Sequence, residues 1–173
     1  MIIKVAVGTS LATIVVTAIS SVWAHHRHGA VRWNLFRIMT PGVVIGSLIG
    51  AWIADLLPGL WLTAAFILFL VGVSFQMAWG PAAGNRPMPG HWALRGMSAV
   101  VGAISALMGI GGGTLHVPYL SRYGVPVKQS IATAAALGLP LAIASTAGFI
   151  LTGLDEAGRP EQSLGYVNLP AFA

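Results

Sequence analysis

Residues 109–120 read GIGGGTLHVPYL, four glycines within five positions followed by a histidine and a proline. Glycine is about 1 kcal/mol worse than alanine inside a helix, yet this run is flanked by stretches apolar enough for a bilayer. Two physical readings compete. Either the glycines break a membrane segment and line a site, or they let neighbouring helices approach closely.

The composition selects the solvent. Of 173 residues, 56% are hydrophobic and 8% charged, against roughly a quarter charged in soluble domains. Mean hydropathy is +0.82. Zero cysteines exclude disulfides and cysteine-ligated metal. A net charge of +5 would point to nucleic acid in a soluble protein. No basic patch with interleaved aromatics occurs, so a nucleic-acid partner is not expected, and the excess reads as basic cytoplasmic loops.

Working outward from the glycines, spanning helices are expected over 5–23, 35–57, 60–79 and 131–151, with an interrupted or re-entrant segment over 93–120. A Pro/Gly-rich linker covers 80–90 and a second polar loop covers 153–163. The whole chain reads as one integral membrane domain. Lys4 ahead of an apolar core is reminiscent of a signal peptide, but the core is long and rich in hydroxyls, which favours a retained span.

Charge gives the orientation. Arg27, Arg32 and Arg37 follow the first span, Asp55 follows the second, and Arg86 and Arg95 follow the third. Basic loops face the cytoplasm. If 93–120 crossed fully, Arg122 and Lys128 would lie outside and the loop with Asp155, Glu156 and Glu161 inside. If it enters and returns, both basic residues stay inside. Charge favours the second arrangement, in the cytoplasmic membrane.

An internal repeat points the same way. AVGTSLATIVVTAIS from Ala6 aligns with SIATAAALGLPLAIAS from Ser130, placing Thr9 on Thr133 and Ser20 on Ala144. GAVRWNL from Gly29 resembles GYVNLPA from Gly165. With a re-entrant segment between them, the two copies run oppositely through the membrane, as in secondary transporters with a site between inverted repeats. The expected fold class is therefore an all-α membrane protein: a multi-pass helical bundle with an internal inverted repeat and a glycine-broken re-entrant segment. The second copy is preceded by the glycine cluster and the first is not, so the chain is expected to be truncated at both ends.

GIGGG followed by VPYL, AVGTSL, the loop pattern H-x-x-G-x-V-x-W and PGVVIGSLIGA together resemble the TauE/SafE family of membrane permeases, or sulfite exporters, over Ala6 to about Leu169. The resemblance implies a transporter of sulfite, sulfonates or related small anions, without a cofactor. Nothing resembles a nucleotide-binding motif, so transport is expected to be secondary-active, with proton or ion coupling and a homo-oligomer both compatible. Two alternatives stay open: the same fold moving another small anion or a metal ion, and a truncated fragment with no transport of its own.

The candidate substrate-binding residues follow. Gly109, Gly111, Gly112 and Gly113 can turn successive N–H groups into one concavity that attracts an anion without a buried lysine or arginine. Thr9, Ser10 and Thr133 match the family's Ala-x-Thr-Ser pattern, so their roles are those the resemblance implies. Pro118 can free a carbonyl beside the break, and His116 can carry a proton or bind the anion when protonated. The wider stripe of Thr13, Thr17, Ser20 and Ser21 reads as hydroxyls bonded back to their own helix. Gly42, Gly46 and Gly50 read as a packing ridge, Pro41 as a helix start, and Asp55 as a solvated helix end. His25, His26 and His28 read as loop charge rather than a metal cluster. No nucleophile–base set or carboxylate pair occurs, so no enzyme and no metal site are expected.

Overall fold

The computed structural model describes residues 2–79, 84, 86–154 and 163–172. Most of the 153–163 loop, with Asp155, Glu156, Arg159 and Glu161, lies outside the described residues, as do positions 80–83 and 85 of the linker. Six helices carry the fold: α1 (Ile2–Arg27), α2 (Trp33–Leu56), α3 (Gly59–Trp79), α4 (His91–Met108), α5 (Gly113–Arg122) and α6 (Val127–Thr152). A two-residue hairpin, β1 (Ser163–Leu164) with β2 (Val167–Asn168), then leads into a single turn, α7 (Leu169–Phe172).

Four helices are long and apolar enough to cross a membrane: α1, α2, α6 and the Gly59–Gln76 part of α3. At 1.5 Å per residue the 26 residues of α1 span about 39 Å, more than the roughly 30 Å hydrocarbon layer. Helix is the obligatory choice here, since in lipid each backbone N–H and C=O must find its partner within the segment. The chain is an all-α multi-pass membrane protein.

The core forms where α2 lies between α4 and α6. Met39, Val43, Ala51 and Ala54 of α2 are fully or almost fully buried, with Leu94 of α4 and Leu137, Leu141 and Phe149 of α6. The helix contains Pro41 as its ninth residue rather than as a start; the ring removes one hydrogen bond, and tertiary packing on both sides holds the helix together across it. By contrast α3 buries Leu62 and leaves Leu60, Trp61, Leu68 and Phe75 exposed, as suits a helix facing lipid.

Contacts along the helices give their directions. A methyl group added at Gly42, Gly46 or Gly50 would overlap the carbonyls of Arg95, Ala99 and Ala103 in turn. The two series rise together, so α2 and α4 are parallel. The Arg32 N–H donates to Thr133 Oγ1 at 3.0 Å, and the Asn168 N–H donates to Thr9 Oγ1 at 3.0 Å. The start of α6 thus meets the end of α1, and the start of α1 meets the end of α6. The two helices are antiparallel.

It follows that α4 begins at the end of the bundle where α2 begins. The Gly84 N–H donates to the Ser121 carbonyl and the Arg86 N–H to that of Arg122, while Arg32 Nε donates to Gln129 Oε1 at 2.7 Å. The α4–α5 segment therefore enters and leaves at one end. That end holds Arg27, Arg32, Arg37, Arg86, Arg95, Arg122 and Lys128. Among the described residues the other end carries Lys4 and Asp55 as its charges.

Candidate functional site

The glycine run turns the chain inside the bundle. Gly109 ends α4 in the left-handed conformation, with φ 68° and ψ 30°, and its N–H donates to the Ser105 carbonyl. Only glycine takes that conformation at little cost. Gly112 has ordinary right-handed angles and stands just before α5. Gly111 and Gly113 need no special backbone angle, and a methyl group on either would meet no atom within 4 Å. What they contribute is open space.

That space is a cavity of about 290 Å³ lined by Gly111, Gly112 and Gly113, by Ile14, Thr17, Ala18 and Ser21 of α1, and by Ala134, Ala135 and Gly138 of α6. It lies between the two helices that carry the repeat. The N-terminus of α5 opens onto it with unpaired N–H groups, where the helix dipole favours negative charge. The polar side chains in the lining are two hydroxyls, Thr17 and Ser21, and no carboxylate is among them. Thr17 donates its proton to the carbonyl of Ile14 at 3.1 Å, so the donors left to meet an anion are the Ser21 hydroxyl and the α5 N–H groups.

The other candidates lie around this cavity rather than in it. His116 is fully buried. Its Nδ1 sits 2.8 Å from the Gly112 carbonyl, which also accepts the His116 backbone N–H at 3.0 Å. A carbonyl can only accept, so Nδ1 carries a proton, and the buried Nε2 has no protein partner. Ser10 donates to the Gly109 carbonyl at 3.0 Å. Ser10 and Gly109 line a separate, almost wholly apolar cavity of about 280 Å³ with Ile3, Val7, Leu62 and Phe66. Pro118 lines a third space of about 210 Å³ near Gln76, Tyr119 and Arg122.

Thr9 and Thr133 do something reciprocal. Each hydroxyl oxygen accepts the N–H that precedes a helix of the other copy: Asn168 before α7 for Thr9, Arg32 before α2 for Thr133. Behind each bond stands a glycine with positive φ, Gly29 at 60° and Gly165 at 58°. Two buried residues separate each glycine from its donor, Ala30–Val31 and Tyr166–Val167. Weak sequence similarity thus becomes a matched pair of long-range bonds at opposite ends of α1 and α6.

Asp55 differs from expectation. It is not a solvated helix end: its Oδ1 accepts the Tyr166 hydroxyl at 2.7 Å, and Lys4 Nζ lies 3.4 Å from the same oxygen and also donates to the Asp55 backbone carbonyl. The Lys4 side chain is 12% exposed and that of Asp55 27%. A carboxylate at the end of α2 meets a lysine near the start of α1 only because the short α1–α2 connection folds the two antiparallel, a relation invisible in either helix alone.

The family model described as "Sulfite exporter TauE/SafE" matches residues 1–173, the whole chain. The chain belongs to the TauE/SafE family. Curated relatives agree: a probable membrane transporter protein of Haemophilus influenzae is 32% identical over 176 residues, 99% of this chain and 66% of that protein. One of Methanocaldococcus jannaschii is 26% identical, over 97% of this chain and 63% of the relative, and one of Bacillus subtilis is 23% identical over 89% and 66%. The chain thus spans about two thirds of the length of these relatives. No solved structure matches.

In this TauE/SafE chain several cavity residues carry no chemical signature of their own. Ala134, Ala135 and Gly138 are small residues in a helix full of them, and Ile14 and Ala18 are ordinary apolar positions. Thr17 and Ser21 did carry a signal, hydroxyls spaced four apart on α1. Periodicity alone could not separate them from Thr13, which bonds back to Thr9 and does not line the cavity.

Proposed function

We propose that this chain forms the substrate-binding core of a membrane permease for small anions, with sulfite, sulfonates and related oxoanions as the substrate class. The observation that carries the reading is the cavity where the α5 N-terminus and Gly111–Gly113 face Thr17 and Ser21 with no carboxylate nearby. Partial positive charge from backbone N–H groups holds an anion without a buried cation, and weakly enough to let it leave. A cargo metal ion would want oxygen or nitrogen ligands with negative charge, and among the described residues no cluster of three or more His, Asp or Glu exists.

The orientation follows from charge. The end bearing seven arginines and lysines faces the cytoplasm, and the protein resides in the cytoplasmic membrane. Transport is secondary-active. His116 Nε2, buried without a partner and one helical turn from Gly112, is the site assigned to a coupled proton in this reading. The names of the relatives, all probable membrane transporter proteins, support the reading at the level of transport.

The test is sulfite flux in vesicles for the wild type and for Gly113→Leu, with membrane insertion followed in parallel. Leucine would fill the cavity without meeting a neighbour at its Cβ. Flux should fall at least about ten-fold, the scale on which a misplaced contact disrupts a positioned site, while insertion is unchanged. Undiminished flux in the variant would remove the cavity from the pathway.

A further inference from the structure

We propose that the two ends of the α1–α6 pair are closed by gates of unequal strength, with Asp55, Lys4 and Tyr166 forming an ionic lock at the end away from the arginines. The cavity lies between α1 and α6 and is open along its flank, so a ligand arriving from water on either side of the membrane passes the corresponding ends of these two helices. Each end has one shared tie, a loop N–H on a threonine hydroxyl at 3.0 Å. By itself that symmetry would make the two openings equally easy, as expected for repeats that rock about a fixed site.

The additional ties break the symmetry. At the arginine-rich end the Thr133 bond is supplemented by Arg32 Nε on Gln129 Oε1, an exposed contact for which water competes. At the opposite end Tyr166, itself fully buried, donates to Asp55 Oδ1 at 2.7 Å, and Lys4 is held by the same carboxylate and by the Asp55 carbonyl. Lys4 also lies 5.5 Å from the centre of the Tyr166 ring. These contacts bind the start of α1, the end of α2 and the turn after α6 into one unit. Bonds with an ionised partner are roughly twice as strong as neutral ones, and partial burial limits screening.

At rest the arginine-rich end opens more readily, and exit through the other end requires Asp55 to release Tyr166 and Lys4. Thr9 and Thr133 act as gate residues here rather than as ligands of the anion. The inference deepens the permease reading, but its test reads access to the cavity with no substrate present.

The chain has no cysteine, so Ala135→Cys places one thiol in the cavity lining. Its modification by a membrane-impermeant methanethiosulfonate is timed from each face of sealed vesicles, with sulfite flux of the wild-type chain recorded in parallel. In the parent, labelling is faster from the arginine-rich face. Adding Asp55→Asn or Lys4→Met raises the rate from the opposite face by about ten-fold, the loss of one charge-assisted contact. Asp55→Glu keeps the parent rates. Thr133→Val raises the rate from the arginine-rich face alone, by about five-fold, as for one neutral hydrogen bond.

If Asp55→Asn disturbs insertion, Lys4→Met carries the decision. Parent labelling that is equal or faster from the Asp55 face overturns the lock. So does a lock variant that leaves the opposite-face rate unchanged, or one that raises both rates alike. Absent sulfite flux in the wild-type chain counts against the permease reading, while the labelling ratio of the Ala135→Cys parent still judges the lock.

Discussion

Gly42, Gly46 and Gly50 of α2 and Gly109, Gly111, Gly112 and Gly113 at the turn are the same residue type in the same membrane protein, put to opposite uses. At the first set a methyl group would overlap the backbone of α4; at Gly111 and Gly113 it would meet nothing. Spaced four apart, glycines form a ridge along one helix face and draw a neighbour close enough for backbone contact. Placed in succession, they end one helix, start another and leave a hollow beside the break. The spacing predicts the use.

That contrast can be broken most severely on the ridge. Gly46→Ala should cost about 3 kcal/mol or more, at or beyond the upper range for overpacking, because the overlapped atom is a carbonyl that no rotamer change can move. Unfolding of the purified protein in mixed micelles would measure it, and a loss below about 1 kcal/mol would mean that α2 and α4 do not touch as described. Gly109→Ala should cost about 1–2 kcal/mol, from the left-handed angle and the approach of Val7 to within 3.1–3.4 Å of the new carbon. A neutral result there would place the turn elsewhere. Gly72→Ala on lipid-facing α3 meets nothing within 4 Å and should stabilise by about 0.5–1 kcal/mol through helix propensity alone. A clear destabilisation would reveal a partner on α3.

The same logic explains how far the candidate site was legible. The glycine cluster declared itself, since a run so poor in helix propensity between apolar stretches needs a reason. Of the residues marked from sequence, Gly111–Gly113 line the cavity between α1 and α6, whereas Gly109 and Ser10 border a different, apolar one. His116 is near but packed against the Gly112 carbonyl. Thr9 and Thr133, paired by the repeat, are again paired in space, each by a loop of the opposite copy. Ala134, Ala135 and Gly138 stayed silent because a small side chain lining a hollow looks like one lining a helix contact. Asp55 was misread for a similar reason: a carboxylate at a helix end is usually solvated, and its partners Lys4 and Tyr166 are 51 and 111 residues away in the chain.

The sequence by itself determined the solvent, the helices and the break. Hydropathy and backbone satisfaction are local requirements, and lipid enforces them segment by segment. Even the repeat was readable, because AVGTSL and GAVRWNL are followed in the same order by SIATAA and GYVNLPA; the structure adds that Gly29 and Gly165 both take a positive φ. Only the tertiary structure decided which members of the glycine cluster stand open, which hydroxyls face the cavity, and which end of the α1–α6 pair is tied by charge. Those outcomes depend on atoms brought together from distant parts of the chain, and a hydroxyl, a small side chain or a carboxylate reads the same for either use until its partner is in place.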